Sequence, residues 1–242
     1  RCLRGTDEGT AALFVFSAFF ISVGIVYLLS FLPTRAQNII GMALIVAQFA
    51  FLGPAGLRAE HPTERPHRRA RTFFTFARSN IQDSRFLAAC AVGMALLGFV
   101  DGFLRGYPDG LPIPFTWSSR LAYALCSMLI CALLMLLVVR RRERVMTVDA
   151  FITMALLASL SLVLFGAFPY HWEIGAVAVN TLNIVICAYC WYVIIAFTSF
   201  GTRDPYIYAM GGWVICFGSR SLARMLLYFT YPLAGNDLLI NS

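Results

Sequence analysis

Two arginines in an apolar run are the side chains of this sequence best suited to do chemistry. Arg220 and Arg224 lie one helical turn apart in GGWVICFGSRSLARMLLYF, residues 211–229, so a helix places both on one face. A charge at the centre of a bilayer costs about 2.5–3.5 kcal/mol and normally faces a protein partner or a polar cavity. Either the arginines snorkel and pair with a neighbouring helix, or they bind an anionic ligand.

A second charged pair lies in LLGFVDGFLRG, residues 96–106. Asp101 and Arg105 can pair within one helix, and Arg220 is the more distant candidate partner of Asp101. This stretch also carries a stripe of small residues that favours close helix packing and would permit a homodimer: Gly98, Gly102 and Gly106. A structural ion pair beside a packing stripe and a role in proton or ligand coupling both stay open.

Three further polar residues are candidates for the same site. Arg120 follows TWSS and is either an interface anchor or a third positive group at a cavity mouth, while Asn180 and Asn183 could join helices by hydrogen bonds or line a cavity. The predicted ligand site comprises Asp101, Arg105, Arg120, Asn180, Asn183, Arg220 and Arg224. No pattern predicts a nucleophile–base pair, a metal cage or a cofactor, so we expect no enzymatic activity.

Apolar helices must position these residues. The chain has 242 residues, of which 60% are hydrophobic and 13% charged, and its mean hydropathy is +0.75. That composition predicts an all-α polytopic membrane protein, because a span needs about 20 apolar residues. Seven spans are predicted: Ala11–Leu32, Ala36–Leu57, Phe86–Leu104, Ser119–Val139, Met146–Phe168, Ile174–Phe200 and Tyr206–Tyr231.

The distribution of arginine predicts the orientation. Fourteen of the 19 basic residues, all of them arginine, lie in four flanks on one side, residues 1–10, 58–85, 140–145 and 201–205, against two on the opposite flanks. The positive-inside rule makes the first set cytoplasmic, which predicts a multi-pass protein of the bacterial cytoplasmic membrane with the N-terminus of the chain on the cytoplasmic side. Membrane topology and attraction to anionic lipid are the preferred explanation of the basic run at 58–85, ahead of nucleic-acid binding.

Three segments follow: two spans in 1–57, a basic cytoplasmic linker at 58–85, and five spans in 86–242. Both ends of the chain look cut, so we expect a fragment of a longer protein. The layout resembles helices five to eleven of a twelve-helix major facilitator-type bundle. The turn after the fourth predicted span, RRRER at 140–144, departs from that superfamily, because it lacks the signature Gly-x-x-x-Asp-Arg-x-Gly-Arg of its transporters.

A narrower resemblance rests on LLGFVDGFLRG, GGWVICFGSRSLARMLL and basicity from arginine alone. These features resemble the membrane-embedded LuxR-type regulators of Eggerthella-like Coriobacteriia. The resemblance implies a sensor module that binds a small ligand and signals to a helix-turn-helix domain outside this chain, through which alone it would contact DNA. The alternatives are a secondary transporter of the major facilitator type and a purely structural membrane protein.

Overall fold

The chain is all-helical in a computed structural model that describes residues 8–59, 84–107, 109–111, 113–141, 149–200 and 205–231. Seven helices lie within these ranges. They are α1 (Glu8–Leu29), α2 (Thr34–Ala59), α3 (Ser84–Gly106), α4 (Trp117–Arg141), α5 (Ala150–Ala167), α6 (Trp172–Phe200) and α7 (Pro205–Thr230). The prediction of an all-α fold is therefore confirmed.

Prolines and short hydrogen-bonded turns mark several of the helix ends. Pro33 lies in the turn between α1 and α2 and interrupts the helical hydrogen bonding there. Its carbonyl accepts a hydrogen bond from Gln37 N at 3.1 Å in the first turn of α2. The connection from α5 to α6 is a tight turn in which His171 N donates to Phe168 O at 3.0 Å. Pro205 begins α7 at the first helical position, where a missing N–H leaves no hydrogen bond unmade.

Five of the described helices are long and apolar enough to cross a membrane, which indicates a polytopic membrane protein. Large apolar side chains such as Leu28, Met42 and Leu129 lie exposed on the outer surface, as lipid-facing residues do. The five stretches are Thr10–Leu29, Leu87–Gly106, Trp117–Arg140, Ala150–Ala167 and Trp172–Ile195.

The predicted count of seven spans is not confirmed. The spans predicted at Ala36–Leu57 and Tyr206–Tyr231 are helical, as α2 and α7, but they are not among the five. Helix α7 carries two arginines within its apolar sequence, Arg220 and Arg224. The site arginines thus lie on a helix of mixed character.

Helix α6 forms the centre of the bundle. It packs against α1, α3, α4, α5 and α7, and 61% of its most apolar stretch is buried, against 22% to 28% for the other four spans. Among the described residues, α2 has no extensive contact with another helix. A site that involves α6 is therefore enclosed by protein on several sides.

Several predictions fall on residues outside the described ranges. The basic linker at 58–85 lies there for the most part, as do most of the flanks at 1–10, 140–145 and 201–205. The predicted orientation rests on the arginines of these flanks, so it stays a prediction.

Candidate functional site

Close packing of α3 against α7 creates the site. A Cβ at Gly102 would lie 2.8 Å from the Arg220 Cα, and one at Gly106 would lie 3.1 Å from the Arg224 Cγ. At Gly102 only glycine lets the two backbones approach this far, whereas at Gly106 the Arg224 side chain would have to shift. The predicted packing stripe is thus covered by α7 within the chain, so a homodimer would need another surface.

This packing brings Asp101 to Arg220. The Asp101 Oδ2 lies 2.8 Å from the Arg220 Nε; the carboxylate side chain is fully buried and the arginine side chain is 13% exposed. The N–H is not aligned for a hydrogen bond, so charge attraction holds this contact. Of the two partners that the sequence allowed for Asp101, the structure places the distant one in contact.

Helix α6 supplies the remaining partners of Arg220. The Arg220 Nη2 donates a hydrogen bond to Asn183 Oδ1 at 2.5 Å and lies 3.8 Å from the Cys187 Sγ. The guanidinium carbon also lies 4.7 Å from the centre of the Phe217 ring, within the range of a cation–π contact. We call Asp101, Asn183, Cys187 and Arg220 the Arg220 cluster, and it joins α3, α6 and α7.

Arg224 has a different partner, a turn outside the helices. Its Nε and Nη2 both donate to the Gly110 carbonyl oxygen, at 3.2 and 3.0 Å. Gly110 has a φ of 81°, and a Cβ there would come within 2.7 Å of the Arg224 carbonyl oxygen. Both facts require glycine at this position. Arg224 therefore anchors the turn that follows α3.

Next to these contacts lies a cavity of about 270 Å³, which we call the arginine cavity. Its lining residues are Arg105, Ile113, Phe115, Ala176, Asn180 and Arg224. Among the described residues, Arg105 has no hydrogen-bond or ion-pair partner. The cavity thus holds one guanidinium whose five donors make no hydrogen bond to the described residues and a second that is fixed by the turn.

The structure separates the predicted site residues into three places. Asp101, Asn183 and Arg220 belong to the Arg220 cluster, whereas Arg105, Asn180 and Arg224 line the arginine cavity. Arg120 belongs to neither: it is exposed, and its guanidinium carbon lies 5.3 Å from the centre of the Trp117 ring.

Glu173 is an organising residue that the sequence analysis does not predict. Its Oε2 accepts hydrogen bonds from Thr116 N at 3.1 Å and Thr116 Oγ1 at 2.6 Å, and also from Ser119 Oγ. The carboxylate of α6 thereby caps the N-terminus of α4. The TWSS stretch signals the cap, but sequence does not show that the acceptor comes from another helix.

Two thiols also meet between α6 and α7. The Cys190 and Cys216 sulfurs lie 3.3 Å apart and are buried. The CAYC spacing at 187–190 therefore does not pair its own two cysteines. Within the described ranges, no group of His, Cys, Asp and Glu side chains could hold a metal ion.

Comparison with known proteins does not extend this description. No protein-family model, curated protein or solved structure matches the chain.

Proposed function

We propose that this chain binds a small anion in the arginine cavity and serves as the membrane sensor module of a one-component LuxR-type regulator. The observation that carries the binding part is the cavity itself, which two arginines and no carboxylate line within the described residues. The regulator part rests on the sequence resemblance.

The charges support an anion as the ligand. Asp101 and Arg220 form an ion pair that is neutral overall, so the carboxylate of α3 already has a counter-charge. Arg105 and Arg224 then leave two positive charges at the cavity wall, and no described carboxylate lies within ion-pair distance of Arg105. Desolvated cations are costly unless they are paired. A bound anion would supply the missing counter-charge.

The cavity also offers a route for a signal. Arg105 lies on α3, Asn180 on α6, and Arg224 on α7, where it holds the Gly110 turn. A ligand that contacts all three helices would favour the helix arrangement that it binds best and so shift a two-state packing equilibrium. The readout would be a DNA-binding domain outside this chain.

The test is thermal stability of the purified chain in detergent with sodium succinate, acetate or phosphate, against sodium chloride at matched ionic strength, so that chloride is the reference anion. An anion at 100 times its Kd should add about 2.7 kcal/mol of stability. Arg105→Gln should remove this gain, and Arg120→Gln should keep it because Arg120 lies outside the cavity. Stabilisation by none of the anions, or an equal gain in Arg105→Gln, would contradict the proposal.

A secondary transporter is the second candidate, and the Arg220 cluster is the observation that favours it. A buried charge pair that joins three helices is the kind of group that transporters use near the middle of the membrane. Uptake of radiolabelled succinate into proteoliposomes separates the two candidates. Accumulation by the unsubstituted chain favours the transporter, and binding without accumulation favours the sensor.

A further inference from the structure

The charge balance of the arginine cavity restricts its ligand. The described carboxylates on this end of the bundle are already engaged: Asp101 with Arg220, Asp109 with the Leu111 N–H at 3.0 Å, and Glu173 with the start of α4. None forms an ion pair with Arg105 or Arg224. Within the described part of the chain, the two positive charges at this cavity wall therefore have no counter-charge in direct contact, and Asp101 attracts them only from beyond ion-pair distance.

The two guanidinium groups differ in the donors that they offer. Arg224 directs its Nε and Nη2 to the Gly110 carbonyl, which fixes the plane of the group and leaves Nη1 free. Arg105 uses none of its donors on the described residues. A guanidinium with free donors suits bidentate binding of a carboxylate. The site thus presents two anion-binding groups on two helices, α3 and α7.

Apart from Asn180, the rest of the wall is apolar. Ile113, Phe115 and Ala176 line the cavity, and the amide nitrogen of Asn180 donates to Ala176 O at 2.8 Å. The volume of about 270 Å³ is just below the usual range for ligand pockets, about 300–1,000 Å³. A short hydrocarbon body would contact these walls, whereas inorganic phosphate would leave them facing water.

From the two positive charges and the apolar wall we infer that the ligand is a short dicarboxylate, with one carboxylate at Arg105 and the other at Arg224. The inference rests on the proposed function and narrows its ligand class. A monocarboxylate would leave one guanidinium without a counter-charge, and that unpaired charge would weaken its binding. Selectivity for the second negative charge is therefore the property that distinguishes this site.

The experiment titrates the purified chain in detergent with succinate and with its monomethyl ester, which has the same carbon chain and one charge less. We expect succinate to bind at least about tenfold more tightly. Arg105→Gln should reduce this ratio to about one, while Arg105→Lys, which keeps the charge, should retain most of it. Unliganded thermal stability verifies that each variant folds.

Each outcome decides between the inference and the proposed function. Equal binding of succinate and its ester, or tighter binding of the ester, would overturn the dicarboxylate inference and leave anion binding in place. Phosphate binding more tightly than succinate would also overturn it. Absence of binding by succinate, the ester, acetate and phosphate would overturn the inference and the proposed function together.

Discussion

Removing the charge of Asp101 should destabilise the fold strongly. Asp101→Asn keeps the size of the side chain but leaves Arg220 without its counter-ion at 2.8 Å. Breaking a buried ion pair costs about 3–5 kcal/mol. Because the Arg220 side chain is 13% exposed and water can reach part of it, we expect the lower end, about 3 kcal/mol. The cost of placing an arginine in a bilayer, about 2.5–3.5 kcal/mol, gives a similar value.

A double-mutant cycle separates the ion pair from other effects of the substitution. Reversible unfolding in mixed detergent micelles, followed by circular dichroism, gives the free energy for Asp101→Asn, Arg220→Gln and the double variant. The double variant should lose less than the two single variants lose in sum, because it leaves no unpaired charge. Arg120→Gln, on an exposed arginine, is the matched control and should change stability by no more than about 0.5 kcal/mol.

Two results would refute this reasoning. The first is a loss below about 1 kcal/mol for Asp101→Asn, which would mean that water or another group compensates Arg220. The second is additivity, with the double variant losing as much as both single variants together. Either would show that the contact between α3 and α7 does not depend on the charge pair.

Other predictions follow from the contacts between helices. Gly102→Val should strongly lower stability, because a Cβ there meets the Arg220 backbone and would separate α3 from α7. Gly93→Val on the same helix is the control and should be tolerated, because nothing lies within 4 Å of a Cβ there. Equal losses of stability in the two variants would contradict the packing of α3 against α7. Copper phenanthroline should link Cys190 to Cys216, whose sulfurs lie 3.3 Å apart, and mass spectrometry of peptides should find that disulfide; its absence would contradict the register of α6 against α7. Gly110→Ala should lower stability by about 1 kcal/mol or more, because its φ is 81°; an unchanged melting temperature would contradict this turn.

The sequence identified the polar residues that form the Arg220 cluster and the arginine cavity, but it did not predict which of them contact each other. Asp101 could reach either Arg105 or Arg220, because helical spacing allows the first and a helix contact the second. The Gly102 contact with the Arg220 backbone decides for the second, and that contact depends on tertiary packing. For Arg120 the sequence left open an interface anchor or a third positive group at a cavity mouth, and in the structure its contact is with Trp117.

Sequence patterns could not predict the contacts of the site that the backbone makes. GYPDG predicts a turn from its proline and glycine residues, but nothing in its letters shows that the Gly110 carbonyl accepts two hydrogen bonds from Arg224. Likewise, the cap that Glu173 gives to α4 joins residues 57 positions apart. Long-range contacts of this kind depend on how the helices are arranged in space.

The central claim is that Arg105 and Arg224 face a polar cavity inside the bundle, and thiol modification of Asn180→Cys tests it most directly. Asn180 lines the same cavity. The measurement compares the rates of a negatively charged and a positively charged methanethiosulfonate reagent, each divided by its rate with free cysteine, with the native cysteines subtracted by a parallel reaction of the unsubstituted chain. A single charge pair at 4 Å contributes about 4 kcal/mol at an effective dielectric constant near 20, so even a largely screened pair gives roughly a tenfold rate difference.

We predict that the negative reagent reacts roughly tenfold faster and that adding Arg105→Gln removes most of this preference. Equal rates for the two reagents, or no reaction with either while the protein stays folded, would contradict the account, because the arginines would then face no accessible cavity.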